Sequence, residues 1–303
     1  MMQVSTSHFY DSTTTLMQQL SKQADTLNTQ IATTKKISKP SDDVVAYQRL
    51  TAIKQANADD ASYTSNISLA SSLLQQTDTS LGTAETQLQR AAELAVQANS
   101  GTLNDTDRTA IATELRGIRD QLVTLANTKD ARGQPLFAAA TGDSAVTQAA
   151  DGSVTFTGTG TPASIPIGDG VTVQPTESAA RVFGGVTLAD GSTTDVFAAL
   201  NTMIGALDSN NLSAVSSAGD GVQAALTQVG TMRASLGARA TRVDLQQTSV
   251  KDAATARETD RSALEDTDVT AAITDLQKTM TVLQATQASF TKLSSLSLFN
   301  YLK

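Results

Sequence analysis

The larger apolar residues of the stretch VTAAITDLQKTMTVLQATQASF (269–290) fall at Val269, Ile273, Leu276, Met280, Leu283 and Phe290. Their steps alternate between four and three residues, with polar Gln287 at the one interrupting position, which is the spacing of a helix that wraps around another helix. A matching stripe lies near the other end, where Tyr10, Thr13, Met17, Leu20, Ala24, Leu27 and Ile31 also step by three and four. The pattern predicts two terminal helices paired with each other, the chain folding back on itself. A two-helix seam buries few large side chains, each worth about 1.5–3 kcal/mol, whereas ordering each residue costs about 1–2 kcal/mol. The pair is therefore expected to be marginal alone and stable where other copies cover its remaining faces, so that folding is coupled to assembly. On this reading Met17, Leu20, Leu27, Ile31, Val269, Ile273, Leu276, Met280, Leu283 and Phe290 form an assembly interface.

The inner part of the chain carries stripes of its own, read here as intramolecular core. Ile67, Leu74, Leu81, Leu88 and Ala95 recur every seven residues, with Ala70, Thr77, Ala84, Ala91 and Ala98 three places after each. Small residues at alternate seam positions let a neighbouring helix approach closely. SGTLNDTD (100–107) supplies a break with several capping residues, after which Ile111, Leu115, Ile118, Leu122 and Leu125 resume the spacing, predicting an antiparallel pair. From 138 to 193 the composition shifts to Gly, Thr, Ser, Asp and Pro, with short alternating runs at 153–157, 171–173 and 185–188. Asp151-Gly152, Asp169-Gly170 and Asp190-Gly191 are turn signals, so this segment reads as a small β-rich insertion. Helical spacing returns at Val196, Leu200, Ile204 and Leu207, breaks at 208–213, and continues from Val222 through Leu226, Val229, Leu236, Ala240, Val243 and Val250, with Arg233 and Gln247 as polar exceptions. In KPSDDVV (39–45), Pro40 discourages helix before it, Ser41 is expected to cap, and Asp42 and Asp43 suit the positive end of the following helix. The layout expected is a terminal assembly helix (1–40), rod helices (41–137), a β-rich outer domain (138–193), returning rod helices (194–262) and a second assembly helix (263–303).

Composition narrows the chemistry. Aromatics make up 4% of the 303 residues and Trp is absent, which favours narrow helix-on-helix seams over a thick interior. A net charge of -8 without a basic run argues against nucleic acid as a partner. Zero cysteines exclude disulfides, thiolate catalysis and cysteine-bound metals. No run of apolar residues is long enough to span a membrane, and the N-terminal segment lacks the basic and apolar regions of a cleaved signal. His8 is the single histidine, so no two-histidine metal site exists in one chain. The adjacent carboxylates Asp42-Asp43 and Asp59-Asp60 are geometrically poor acid/base pairs, GTGTP (158–162) lacks the lysine of a phosphate loop, and the Asp-Gly pairs lack the ligand run of a calcium loop. No catalytic, cofactor-binding or metal-binding residue is assigned, and the chain is not expected to be an enzyme.

Four stretches carry a family resemblance: KKISKPSDDVVAYQRL (35–50), LANTKDARGQPLFA (125–138), SLGARATRVDL (235–245) and ALEDTDVTAAITDLQKTMTVLQATQASFTKLSSLSLFNYL (263–302). They resemble the bacterial flagellin superfamily and, within it, the hook-filament junction family of hook-associated protein 3, over roughly 1–138 and 220–303. KPSDD after Ser38 and the ending SLSLFNYLK favour that branch over filament flagellin. The resemblance implies a mainly α fold, an elongated flagellin-like antiparallel long-helix bundle and coiled coil with a small β-rich insertion. It implies a structural adaptor joining the hook, through an adjacent hook-associated protein, to the flagellin filament, needed for filament attachment and motility. It also implies a homo-oligomeric ring, export through the flagellar type III channel without a cleaved signal to an extracellular place on the flagellum, and an export chaperone on the C-terminal helix. Two alternatives accompany it: a minor flagellin, or a flagellin-like cell-surface protein whose β-rich segment binds a ligand, with Phe156 and Phe183 as the candidate stacking residues.

Overall fold

The computed structural model describes residues 2–138, 144–158 and 160–299. In chain order come α1 (Met2–Thr33), α2 (Val44–Ala98), α3 (Asp105–Ala126), β1 (Val146–Gln148), β2 (Val154–Phe156), β3 (Ile165–Gly168), β4 (Val171–Val173), α4 (Ala179–Val182), β5 (Val186–Thr187), β6 (Thr193–Thr194), α5 (Val196–Asp208), α6 (Leu212–Glu265) and α7 (Val269–Phe299). They divide into two compact units, one formed by Met1–Asp59 with Asp252–Lys303 and the other by Asp60–Lys251.

The unit Asp60–Lys251 is built on the inner stripes. Ile67, Leu74, Leu81, Leu88 and Ala95 are buried on α2 together with Ala70, Ala84, Ala91 and Ala98, and Thr77 joins them with its hydroxyl donating to the Leu73 carbonyl at 2.8 Å. Asn104 caps α3 by a capping box, its side chain accepting from Asp107 N–H at 2.9 Å while Asp107 accepts from Asn104 N–H at 3.2 Å. Buried Arg108 closes the other side of the break, donating to the carbonyls of Ala98, the last residue of α2, at 3.2 Å and of Ser100 at 3.4 Å. The Arg90–Glu114 pair at 2.7 Å fits the same antiparallel arrangement of α2 and α3. On α6, Val215, Ala218, Val222, Ala225, Val229, Leu236, Val243 and Val250 turn inward, and Arg233 reaches across to Asp78 at 2.8 Å and Glu85 at 3.0 Å on α2.

The middle segment forms three antiparallel two-stranded hairpins, β1-β2, β3-β4 and β5-β6, with one Asp-Gly pair at the turn of each. Gly152, Gly170 and Gly191 have φ of 83°, 64° and 81°, values a Cβ disfavours, which is why glycine follows the aspartate. Two of the turns are near copies: Asp151 accepts from Ser153 N–H and Oγ at 2.9 and 2.7 Å, and Asp190 from Ser192 N–H and Oγ at 2.9 and 2.6 Å. Asn127, just beyond α3, docks the first hairpin by accepting from the N–H groups of Ala145 and Val146 and donating to the Val146 carbonyl. Val146, Ile167, Val173 and Val186 enter the same hydrophobic cluster as the helices, so hairpins and helices share one core.

Candidate functional site

In the unit Met1–Asp59 with Asp252–Lys303, α1 and α7 lie antiparallel. Tyr10 meets Phe290 edge-on with ring centroids 5.3 Å apart, while at the other end Thr267 N–H donates to the Thr34 carbonyl at 2.9 Å. Tyr10, Thr13, Met17, Leu20, Ala24, Leu27 and Ile31 are the buried or half-buried stripe of α1, with Gln30 beside Ile31. The facing stripe of α7 is Val269, Ala272, Leu276, Thr279, Leu283, Thr286 and Phe290, of which Ala272 and Thr279 are buried. Of the residues expected at an interface, Met17, Leu20, Leu27, Ile31, Val269, Leu276, Leu283 and Phe290 thus lie along one seam.

Ile273 and Met280 do not. They are 42% and 40% exposed, each one place beyond Ala272 and Thr279, which take the seam positions instead. A closely approaching helix selects the small side chain of such a pair, whereas reading by size selects the large one. Apolar side chains consequently stay exposed on both flanks: Ile273 and Met280 follow their seam neighbours, while Phe9, Leu16 and Val282 precede Tyr10, Met17 and Leu283.

The seam ends at a joint formed by the α1–α2 and α6–α7 loops. Lys36 N–H donates to the Glu265 carbonyl at 2.8 Å, and Lys35 pairs with Asp266 in an isolated antiparallel bridge. The buried Glu265 carboxylate has both oxygens engaged, Oε1 by Lys35 Nζ at 2.6 Å and Oε2 by Arg261 at 2.7 Å. Burial pushes this carboxyl up, but the hydrogen bonds from Lys35 and Arg261 outweigh it and hold the group below the usual glutamate range. Lys36 Nζ donates to the Ala263 carbonyl at 2.9 Å. Thr34 has φ of 58°, an uncommon conformation for a β-branched residue, and its carbonyl is the one that Thr267 binds. Ile37, Ala46 and Leu50, with Tyr47 and Leu264 against them, form a small core beneath these loops.

The start of α2 corrects one expectation. Asp43, not Ser41, caps the helix, accepting from Ala46 N–H at 2.9 Å, because Asp43 stands directly before the first helical residue. Asp42 instead gathers the loop, accepting from the N–H groups of Ser38 at 3.0 Å and Lys39 at 3.1 Å, contacts that lower its pKa with Ser38 foremost. His8 is exposed. Among the described residues no cluster of three or more His, Cys, Asp or Glu could hold a metal ion, and no helix is long and apolar enough to cross a membrane.

The chain is similar to known proteins over both helical ends. The bacterial flagellin N-terminal helical region matches residues 4–142 and the bacterial flagellin C-terminal helical region matches 220–302. Flagellar hook-associated protein 3 of Salmonella typhimurium is 30% identical over 297 residues, covering 90% of this chain and 91% of that protein. The chain belongs to the bacterial flagellin family, on its hook-associated protein 3 branch. Flagellar hook-associated protein 3 of Escherichia coli is 29% identical over 291 residues, again covering 90% and 91%. Among solved structures, a putative flagellar hook-associated protein from Vibrio parahaemolyticus superposes with a TM-score of 0.65 at 21% identity, covering 74% of this chain and 100% of that one, which supports the mainly helical flagellin-like fold. The flagellin-family helical regions thus hold the α1/α7 seam and both loops of the joint.

The stacking candidates of the β-rich segment are placed otherwise than expected. Phe183 is fully buried between Phe137 and Phe197, at 5.8 and 5.6 Å, and half-buried Phe156 packs 6.0 Å from Phe197. An aromatic-poor core uses its few rings internally, so Phe183 has no free face for a ligand. The residues that sequence reasoning missed are Glu265, Lys35 and Arg261. Their partnership spans 230 positions and leaves no local periodic signal.

Proposed function

We propose that this protein is a structural component of the bacterial flagellum that joins the hook, through an adjacent hook-associated protein, to the flagellin filament. The observation that carries this reading is the similarity to hook-associated protein 3, 30% identity over 90% of the chain, against 26% over 82% for a Listeria flagellin. The mechanism is mechanical and needs no catalytic group. The α1/α7 pair presents apolar side chains on both flanks of its seam, Phe9, Leu16 and Val282 beside Ile273 and Met280, and such a pair gains stability when neighbouring copies in a ring and the adjoining protein layers cover them. In this reading the protein is exported to the flagellum without a cleaved signal, and an export chaperone covers the C-terminal helix beforehand.

The test is deletion of the gene, with cells imaged by electron microscopy and the medium assayed for unpolymerised flagellin. Bare hooks with flagellin lost to the medium are expected. Normal filaments on motile cells would overturn the proposal and favour a minor flagellin.

A further inference from the structure

The α7 face of the α1/α7 seam says little about its own register. On α7, Leu276 and Leu283 alternate with Ala272, Thr279 and Thr286, so a slip by seven residues again sets large side chains and small ones at equivalent places. On α1 the repeat is only partial: Leu20 and Leu27 lie a heptad apart, but a slip by seven sets Met17 or Ile31 where buried Ala24 stands. A helix pair of this composition is held together by burial and leaves part of the choice of alignment to another device.

The joint is such a device. We infer that Glu265 is a positioning residue that fixes the register of the terminal helix pair, with Lys35 and Arg261 as its partners. Glu265 is the last residue of α6, four positions before α7 begins, and its side chain is only 4% exposed, with one oxygen on Lys35 from the α1 side and the other on Arg261 of α6. A seven-residue slip moves Lys35 about 10 Å along the helix axis. It would strip the buried carboxylate of the cation that comes from α1, and it would also break the two backbone bonds, Lys36 N–H to Glu265 and Thr267 N–H to Thr34. Lys35 and Glu265 belong to KKISKPSDD and ALEDTDVT, two of the stretches by which the chain resembles its family. Those motifs, far apart in sequence, are thereby two halves of one alignment lock. The inference concerns register within one chain and stands whether or not the hook-filament role holds.

The cysteine-free chain makes the test direct, since two introduced cysteines are the only thiols. Disulfide formation is timed in the full-length protein for a native-register pair, Tyr10→Cys with Phe290→Cys, and for a pair one heptad off, Met17→Cys with Phe290→Cys. With Glu265 present, the native pair should form about tenfold faster or more than the slipped one. In Glu265→Gln, and separately in Lys35→Met, the slipped pair should speed up while the native pair slows, bringing the two within about threefold. An unchanged ratio in both variants would overturn the inference. So would a fall of both rates to those of the urea-unfolded chain, because Glu265 would then hold the helices together without choosing their alignment.

Discussion

Replacing Arg239 by Met should destabilise the unit Asp60–Lys251 by about 3 kcal/mol. Arg239 pairs through one guanidinium nitrogen with Glu177, whose side chain is 2% exposed, and through the other with the Gln174 carbonyl at 2.9 Å. Breaking a buried ion pair from one side costs about 3–5 kcal/mol, and an orphaned carbonyl adds about 1 kcal/mol. Against this, Arg239 is one-fifth exposed, and Arg181, 60% exposed and 3.5 Å from the other Glu177 oxygen, remains to supply a screened charge worth about 0–1 kcal/mol. For a unit of this size the net loss corresponds to a melting point about 6–12 °C lower. Thermal and urea unfolding followed by circular dichroism on the full chain would read it. Arg181→Met should change stability by less than about 1 kcal/mol. Arg239→Met combined with Glu177→Leu should recover more than half the loss, since no charge is then buried alone. If Arg239→Met and Arg181→Met are equal within error, the carboxylate is not sequestered as described and the reasoning fails.

Other expectations follow from the same geometry. Leu276→Arg should disrupt α1/α7 pairing, read as loss of rapid Tyr10→Cys/Phe290→Cys cross-linking, whereas Met280→Arg should leave the pairing intact and impair only polymerisation measured by light scattering. Neither should move the melting transition of the unit Asp60–Lys251. Gly191→Ala should cost about 1 kcal/mol, because its φ of 81° is strained for alanine and its surroundings are open. Gly152→Ala should cost clearly more in the same urea titration, because the new methyl also meets the Arg119 guanidinium, which is held by Asn201 at 2.9 Å. Glu265 has a depressed folded-state pKa, so its contribution is present above the unfolded value of about 4.5 and is lost as pH falls through the lower folded value. Acid titration of the full chain followed by helical circular dichroism should therefore show a fall on that side of pH 4.5 that is weaker in Glu265→Gln, with Lys35, Arg261, Glu258 and Asp266 as the charged neighbours in the network.

How much of this was legible in the sequence depended on how local its cause was. The heptad of Ile67 to Ala95 and the α1 stripe from Tyr10 to Ile31 are visible because burial repeats with the helix, and the three hairpin turns because Asp-Gly meets a need for positive φ at each tip. The α7 seam was half legible. Leu276, Leu283 and Phe290 are large enough to mark it, but Ala272 and Thr279 were hidden behind Ile273 and Met280, since side-chain size and burial part company where helices approach closely. Asp43 displaced Ser41 as the cap by standing two places later in a string of equally good cap formers. The burial of Phe183 and the Lys35–Glu265–Arg261 cluster were not legible at all, because tertiary contact alone creates them.

The Lys35–Glu265 pair has a consequence for the order of events as the chain folds. Its members are 230 positions apart, and closing so long a loop in a disordered chain costs about 5 kcal/mol of entropy. The unit Asp60–Lys251 lies wholly inside that loop and carries its own continuous core. Once it forms, the span to be closed contracts to a few tens of residues and the cost falls by roughly 1–2 kcal/mol. The inner core should therefore condense first and the terminal helices zip last, and the first 59 residues have no partner for their apolar stripe until the far end of the same polypeptide is available.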